Sequence, residues 1–169
     1  MPEGAPTAIG ITIAVIVLAF ILIALGWRNM KRRQQDVPAP YEPFEDSEQA
    51  RFTGMYVSTT RREDWLDRVA VHQLGIRSNA ELSIGEDGVH LLRPGTTDLH
   101  IPYGATLEVQ RGAGMAGKFV ERDGLVIISW AKDDYEFDTG FRPRYHEQTA
   151  EIIQMLQPRM GGTAEQEKH

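Results

Sequence analysis

The sequence predicts an apolar membrane-spanning helix followed by a small, mainly β domain, a bent sheet or barrel closed by a C-terminal amphipathic helix. Three observations predict it. Residues 8–27, AIGITIAVIVLAFILIALGW, carry no charge; residues 51–142 alternate short β-rich runs with turn signals; after Pro143 the apolar spacing lengthens from two residues to that of a helix.

The apolar run comes first. As a helix, about twenty residues cross a hydrocarbon core of roughly 30 Å. Twelve of them are Ile, Val, Leu or Phe, which together favour insertion by roughly 4 to 7 kcal/mol. A cleaved signal peptide needs a basic start, a shorter core and a small-x-small exit, whereas this chain opens Met1-Pro2-Glu3 and leaves the run at Trp27-Arg28. Thr12 bears the run's only hydroxyl and can bond back to its own helix, so the run reads as a tether rather than an ion path. Small residues Gly10, Ala14, Ala19 and Ala24 permit close helix contact without forming G-x-x-x-G.

Orientation follows from Arg28, Lys31, Arg32 and Arg33 after the run against a single Glu3 before it. Residues 1–7 are expected outside the cell (inner) membrane and the C-terminal bulk in the cytoplasm. The same four basic residues are candidate contacts for anionic lipid headgroups, at about 1 kcal/mol each. A stop-transfer and topology signal is the plainer reading of them, since an anchored chain does not need them for localisation.

The rest of the chain has room for one domain, 51–158. The formal net charge is −6, acids outnumber bases within the domain, and no basic helix appears, so nucleic acid is disfavoured as a partner. Cysteine is absent, which removes thiol nucleophiles, thiolate metal sites and disulfides.

Residues 28–50 read as a basic juxtamembrane segment and a linker. Pro38, Pro40 and Pro43 favour an extended, semi-stiff spacer, which at about 3.1 Å per residue reaches roughly 40 Å over 34–47. Tyr41 and Phe44 within it are suited to lie against a domain. The first strand is 52–59. Thr60-Arg61-Arg62-Glu63 has capping-box spacing, predicting a helical turn or two through Trp65 and Leu66 before 69–74 extends again. Strands 81–84 and 89–92 flank Gly85-Glu86-Asp87-Gly88, where Asp-Gly supplies the positive φ of a tight hairpin turn. Pro94-Gly95 makes the next turn. Strands 99–101, 107–111, 125–131 and 135–139 follow, the last two joined at Lys132-Asp133-Asp134. Pro143 is placed as the first helical residue, with Tyr145, Ile152, Ile153 and Leu156 on one face until Pro158. The tail, 159–169, is polar and expected to fray.

Several stretches carry a resemblance: Gly54-Met-Tyr56-Val57-Ser-Thr-Thr60, Asp64-Trp65-Leu66-Asp67-Arg68-Val69, Ala116-Gly117-Lys118 and Asp138-Thr139-Gly140-Phe141-Arg142. With the strand order and final helix, the chain resembles a family of actinobacterial single-pass membrane proteins bearing a bacterial pleckstrin-homology-like (PH-like) domain. The resemblance covers the apolar run and nearly all of 51–156. It implies the fold and the topology, a role sometimes described as export- or transport-associated, and no catalytic residues.

The sharpest motif for chemistry is Gly112-Ala-Gly114-Met-Ala-Gly117-Lys118, which fits a dinucleotide G-x-G-x-x-G and the first seven positions of a phosphate loop. Both need a helix directly afterwards, and Phe119 stands where a phosphate loop places Ser or Thr. A flexible strand-to-strand loop is expected instead. His72, His90, His100 and His146 lack ligand spacing and read as surface residues. Glu86-Asp87 and Asp133-Asp134 fall at turn tips, and no Ser follows the nucleophile-elbow pattern. Trp65, Trp130 and Phe141 read as core residues. Arg142 is placed to pair with Asp138 or Glu147. The residues expected to meet a partner are Arg111, Lys118 and Arg142. The function expected is a binding or scaffolding module at the membrane with a protein partner, no catalysis and no cofactor or metal. The alternatives are an accessory subunit of a transport or export complex and a nucleotide-using enzyme acting through the Gly112–Lys118 loop.

Overall fold

The computed structural model describes residues 5–34, 36–62, 64–115, 118–119 and 124–160. The chain divides into two compact units, Met1–Asp36 and Val37–His169. In the first, α1 (Ala5–Arg33) is one continuous helix whose Ile9–Gly26 stretch is long and apolar enough to cross a membrane, with a mean hydropathy of 3.0.

Among the described residues the second unit holds ten strands and one α-helix: β1 (Ala50–Arg61), β2 (Asp64–Arg68), β3 (Ser78–Ile84), β4 (Gly88–Leu92), β5 (Leu99–Pro102), β6 (Thr106–Gly112), β7 (Gly114–Met115), β8 (Lys118–Phe119), β9 (Leu125–Lys132), β10 (Tyr135–Pro143) and α2 (Gln148–Leu156). The main sheet is antiparallel in the order β5-β4-β3-β1-β10-β9-β6, with β2 on the upper edge of β1, while β7 and β8 form a separate pair. Its two end strands, β5 and β6, are joined only by the 3₁₀ turn Tyr103–Ala105. Three residues span about 10 Å at most, so the sheet must curl until its ends come close. Among the described residues it stays an open path and not a closed barrel.

The concave side is filled by Tyr56, Leu82, Leu91, Ile101, Trp130, Phe137 and Phe141, and α2 adds Ile152, Ile153 and Leu156. A polar thread runs through this core. Trp130 Nε1 donates to Thr139 Oγ1 (2.9 Å), the Thr139 and Thr59 hydroxyls meet at 2.7 Å, Thr59 meets the Tyr56 hydroxyl at 2.7 Å, and Tyr56 donates to the Leu74 carbonyl (2.6 Å). Run in that order, each hydroxyl accepts once and donates once, so no buried polar atom of the thread is left over. Burial pushes the Tyr56 hydroxyl up to about 12, which keeps the proton needed for the last bond.

Several expectations are corrected. Asp64–Arg68, with Trp65 and Leu66, is strand β2 and not a helical turn: β3 covers β1 only as far as Tyr56, and β2 pairs with the edge left open at Thr60 and Arg61. Trp65 lies on β2, with its side chain outside those described. The run 69–74 ends in a turn with His72 and Gln73 at positive φ. Pro143 closes β10 opposite Gly54 instead of opening a helix; α2 begins at Gln148, and Tyr145 is exposed. Gly85 and Gly88 do not adopt positive φ; besides His72 and Gln73, Gly95 (φ 81) and Asp133 (φ 52) do. The glycine run is held at Met115, which packs with Val57 and Leu125 over Gly140, where a Cβ would lie 2.8 Å from its sulfur. Trp130 and Phe141 are core residues as expected.

The polar thread gives a stability test. Thr139→Val keeps the shape but strips the Trp130 N–H and the Thr59 hydroxyl of their shared partner. The expected cost is about 1 to 3 kcal/mol by urea unfolding of the detergent-solubilised chain. A cost indistinguishable from zero would mean the thread does not stabilise the core.

Candidate functional site

The Pro-rich stretch read as a spacer is, from Val37 onward, part of the domain surface. Val37 is buried in the core. Tyr41 makes an antiparallel bridge to His100 on the outer edge of β5. Its ring tilts against Trp130 at 6.2 Å, and its hydroxyl donates to the Ala131 carbonyl (3.0 Å). Thr106 is the last β6 residue paired with β9, opposite Trp130, so Ala131 lies just beyond the reach of β6. Lys132 donates to the Ala39 and Pro40 carbonyls (2.6 and 3.1 Å). Residues 37–49 thus form a strap over the seam between the sheet's ends. The aromatic and acidic side chains, not the prolines, decide where this segment lies.

Its anchor is Asp46. One carboxylate oxygen accepts the N–H groups of Glu86 (2.7 Å) and Asp87 (3.0 Å), and the other accepts Gly88 N–H (3.0 Å) and His90 Nε2 (2.9 Å). Burial opposes ionisation of Asp46, but the His90 bond and the turn amides outweigh it and hold its carboxyl below the usual carboxylate range. The two glycines of the turn now have a reason. A Cβ on Gly85 would overlap an Asp46 carboxylate oxygen, and one on Gly88 would lie 2.6 Å from the Phe44 ring.

Behind Asp46 stands a histidine pair. His90 on β4 faces His100 on β5, with their Nδ1 atoms 2.8 Å apart and the Phe44 ring 4.7 Å from His90. Both are buried, contrary to the surface reading. A signal was present: positions 90 and 100 are symmetric about Gly95, so pairing 89–92 with 99–101 across the Pro94-Gly95 turn sets them face to face. Asp46 accepts at both oxygens, so His90 Nε2 must donate. One proton between the two Nδ1 atoms then makes the ring-to-ring bond; two would set N–H against N–H. Burial and the neighbouring His90 pull the His100 pKa below its ordinary value, while Asp98 and Glu42 oppose this. A cleft of about 320 Å³ beside the pair is lined by Pro40, Glu42, His72, Asp98 and His100.

A buried arginine supports the same end of the sheet. Arg93 follows β4, lies 3.8 Å over the Tyr56 ring, and donates to Ser78 Oγ and to the carbonyls of Gln73, Ile76 and Thr97 (2.8–3.1 Å). Its fork holds the 72–77 turn, including the two positive-φ residues. At the chain's end, Arg159, expected to begin a frayed tail, donates to the Gly85 carbonyl, to the Tyr103 hydroxyl and to Gln49.

Of the residues expected to meet a partner, Arg111 and Arg142 are not brought together. Arg111 is exposed on β6 and lines a cleft of about 480 Å³ with Glu108, Ala150, Ile153, Gln154 and Gln157. Arg142 is exposed on β10 and lines another, of about 450 Å³, with Met55, Asn79 and Arg144. Lys118 begins β8, with its side chain outside those described. Residues 116–117 of the glycine run lie outside the described residues, and strand β8, not a helix, follows them. Asp138 accepts from Ser129 (2.6 Å), and no ion pair to Asp138 or Glu147 engages Arg142 among the described residues. Asp138 and Arg142 are four positions apart on one strand, about 13 Å. Arg28 is exposed on α1; the side chains of Lys31, Arg32 and Arg33 lie outside those described. No group of three His, Asp or Glu among the described residues converges as metal ligands do.

Residues 34–157 match the family described as Bacterial PH domain-like, and the chain belongs to that family. No curated protein matches it in sequence. Among solved structures it is similar to a chain of the 8S snRNP assembly intermediate (7% identity, 72% of this chain and 88% of that one, TM-score 0.49). It is also similar to the C-terminal domain of an unknown protein from Leishmania infantum (10%, 79% and 96%, 0.42) and to the C-terminal phosphotyrosine interaction domain of mouse APBB2 (8%, 76% and 98%, 0.49).

Because His100 is pulled down in the folded chain, its contribution to stability is complete above the ordinary histidine pKa of about 6.5 and is lost as pH falls through its lower folded value. Asp46 adds nothing in that window, since its contribution is lost only below the ordinary carboxylate range. The expected outcome is a melting temperature that falls between about pH 6.5 and pH 5, with a shallower fall in His100→Asn. Equal slopes in the two proteins would remove His100 as the cause.

Proposed function

We propose that the protein is a bitopic membrane protein, N-terminus outside, whose α1 tethers the PH-like domain at the cytoplasmic face of the cell membrane as a non-catalytic binding or scaffolding module. The tether reading is supported by the large apolar side chains of Ile9–Gly26, all exposed around the helix. A helix apolar on every side needs lipid or a partner helix to cover it. Arg28, Lys31, Arg32 and Arg33 follow it and favour the cytoplasm for what comes after.

The observation that carries the binding reading is the outer edge of β6. Among the described residues it has no strand neighbour beyond β9, and it borders the cleft shared with α2. Such an edge offers spare N–H and C=O groups to an extended segment, while the helix supplies a second wall. Arg111 stands exposed at this edge, so a partner segment with a carboxylate fits it best. The Asp46–His90–His100 series supports the non-catalytic part, because the carboxylate is fully engaged with a turn and a neighbouring ring.

Two measurements test this. A reporter fused after His169 is expected to be active in the cytoplasm, and neutral replacements at Arg28, Lys31, Arg32 and Arg33 are expected to mix the orientation; activity outside reverses the assignment. A photo-crosslinking residue at Gln154 in the native cell is expected to give a protein adduct that Arg111→Glu weakens about tenfold, a loss of roughly 1.4 kcal/mol, and that Arg142→Glu leaves unchanged. The absence of any adduct from Gln154 rules out this cleft as the binding surface.

A further inference from the structure

The strap is held the way a bound peptide is held. Tyr41 adds to the outer edge of β5 by a backbone bridge at His100, as an added strand does. Its ring and that of Phe44 seat against Trp130 and His90. The Asp46 carboxylate ends the segment in a cradle of three consecutive turn amides, from Glu86 to Gly88, and one imidazole. Turn amides pointing at one anion form a concave carboxylate site. Gly85 and Gly88 leave the space that the occupant fills, since a Cβ at either would meet Asp46 or Phe44. The prolines at 38, 40 and 43 keep the segment extended, lowering the entropy lost on docking.

We propose that the β5 edge and the β3–β4 turn form a peptide-docking site for an extended acidic segment, with aromatic side chains three residues apart and a carboxylate two further on, and that residues 41–46 are its resident, displaceable occupant. A partner segment of the same pattern takes the site when the strap leaves. Two groups set the selectivity: the amide cradle demands a carboxylate, and the histidine pair demands an acceptor opposite Nε2 of His90. Charges of both signs border the strap: Glu86 and Asp87 on the turn, Arg51 against Glu48, and Lys132 on the Ala39 and Pro40 carbonyls. The site is separate from the β6 cleft and does not depend on how that cleft is used.

The experiment uses the full chain in detergent micelles and a fluorescent synthetic peptide of residues 37–49. In Phe44→Ala/Asp46→Asn the resident strap loses its ring and its carboxylate. The amides of Glu86, Asp87 and Gly88 are expected to exchange with deuterium at least tenfold faster, while those of β1 and β10 stay protected. Added peptide is expected to bind this variant and restore the slow exchange. It is expected not to bind the parent protein, whose own strap competes at an effective concentration on the order of millimolar. A peptide carrying Asp46→Asn is expected not to bind either protein. The proposal is overturned if the variant keeps its core protection yet takes up no peptide at millimolar concentration. It is equally overturned if exchange rises throughout β1 and β10, since the strap is then part of the fold and not an occupant. A single replacement, Asp46→Asn, serves as the second variant and is expected to show the same uptake at lower occupancy.

Discussion

Three residues between β5 and β6 constrain everything else in the domain. They oblige the first and last strands of a seven-strand path to lie near each other, although nothing in the ladder of hydrogen bonds joins them. The sheet answers by curling, which makes one concave side deep enough for Trp130, Phe137 and Phe141. Curling also leaves a seam and an open end. The strap crosses the seam and α2 covers the core with Ile152, Ile153 and Leu156, so both additions are responses to one short connection.

Much of this was legible in the sequence. Strand runs with period two, the Pro94-Gly95 turn and the final amphipathic face were each local signals, and each gave an element close to its observed place. What failed to show were features decided by contacts distant in sequence. Thr60 to Leu66 has a helix-start pattern, but an open edge of β1 takes it as a strand, and a tertiary hydrogen-bonding site outweighs a capping preference of about 1 kcal/mol. Gly85 and Gly88 read as turn formers, whereas their role is to make room for side chains about forty residues earlier.

The site was harder to read for the same reason. Asp46, His90 and His100 are spread over three segments, and no spacing rule applied within one segment unites them. Arg111 and Arg142 were legible as exposed cations, but sequence alone did not reveal that they stand on different clefts. Arg93 went unnoticed altogether. It reads as one more charged residue before a Pro-Gly turn, and only the fold surrounds it with carbonyl groups and the Tyr56 ring. Buried charge of this kind fixes a geometry more than it adds stability, because the cost of removing it from water offsets much of what its bonds return.

The docking of Asp46 into the β3–β4 turn also bears on how such chains diverge. Position 85 tolerates no side chain while a carboxylate occupies the cradle, and position 46 has little to hold it once that cradle is blocked. The two sites, nearly forty residues apart, are therefore locked into a joint history. A lineage that exchanges one without the other crosses a state that fits neither, so glycine and aspartate are expected to be inherited together or lost together.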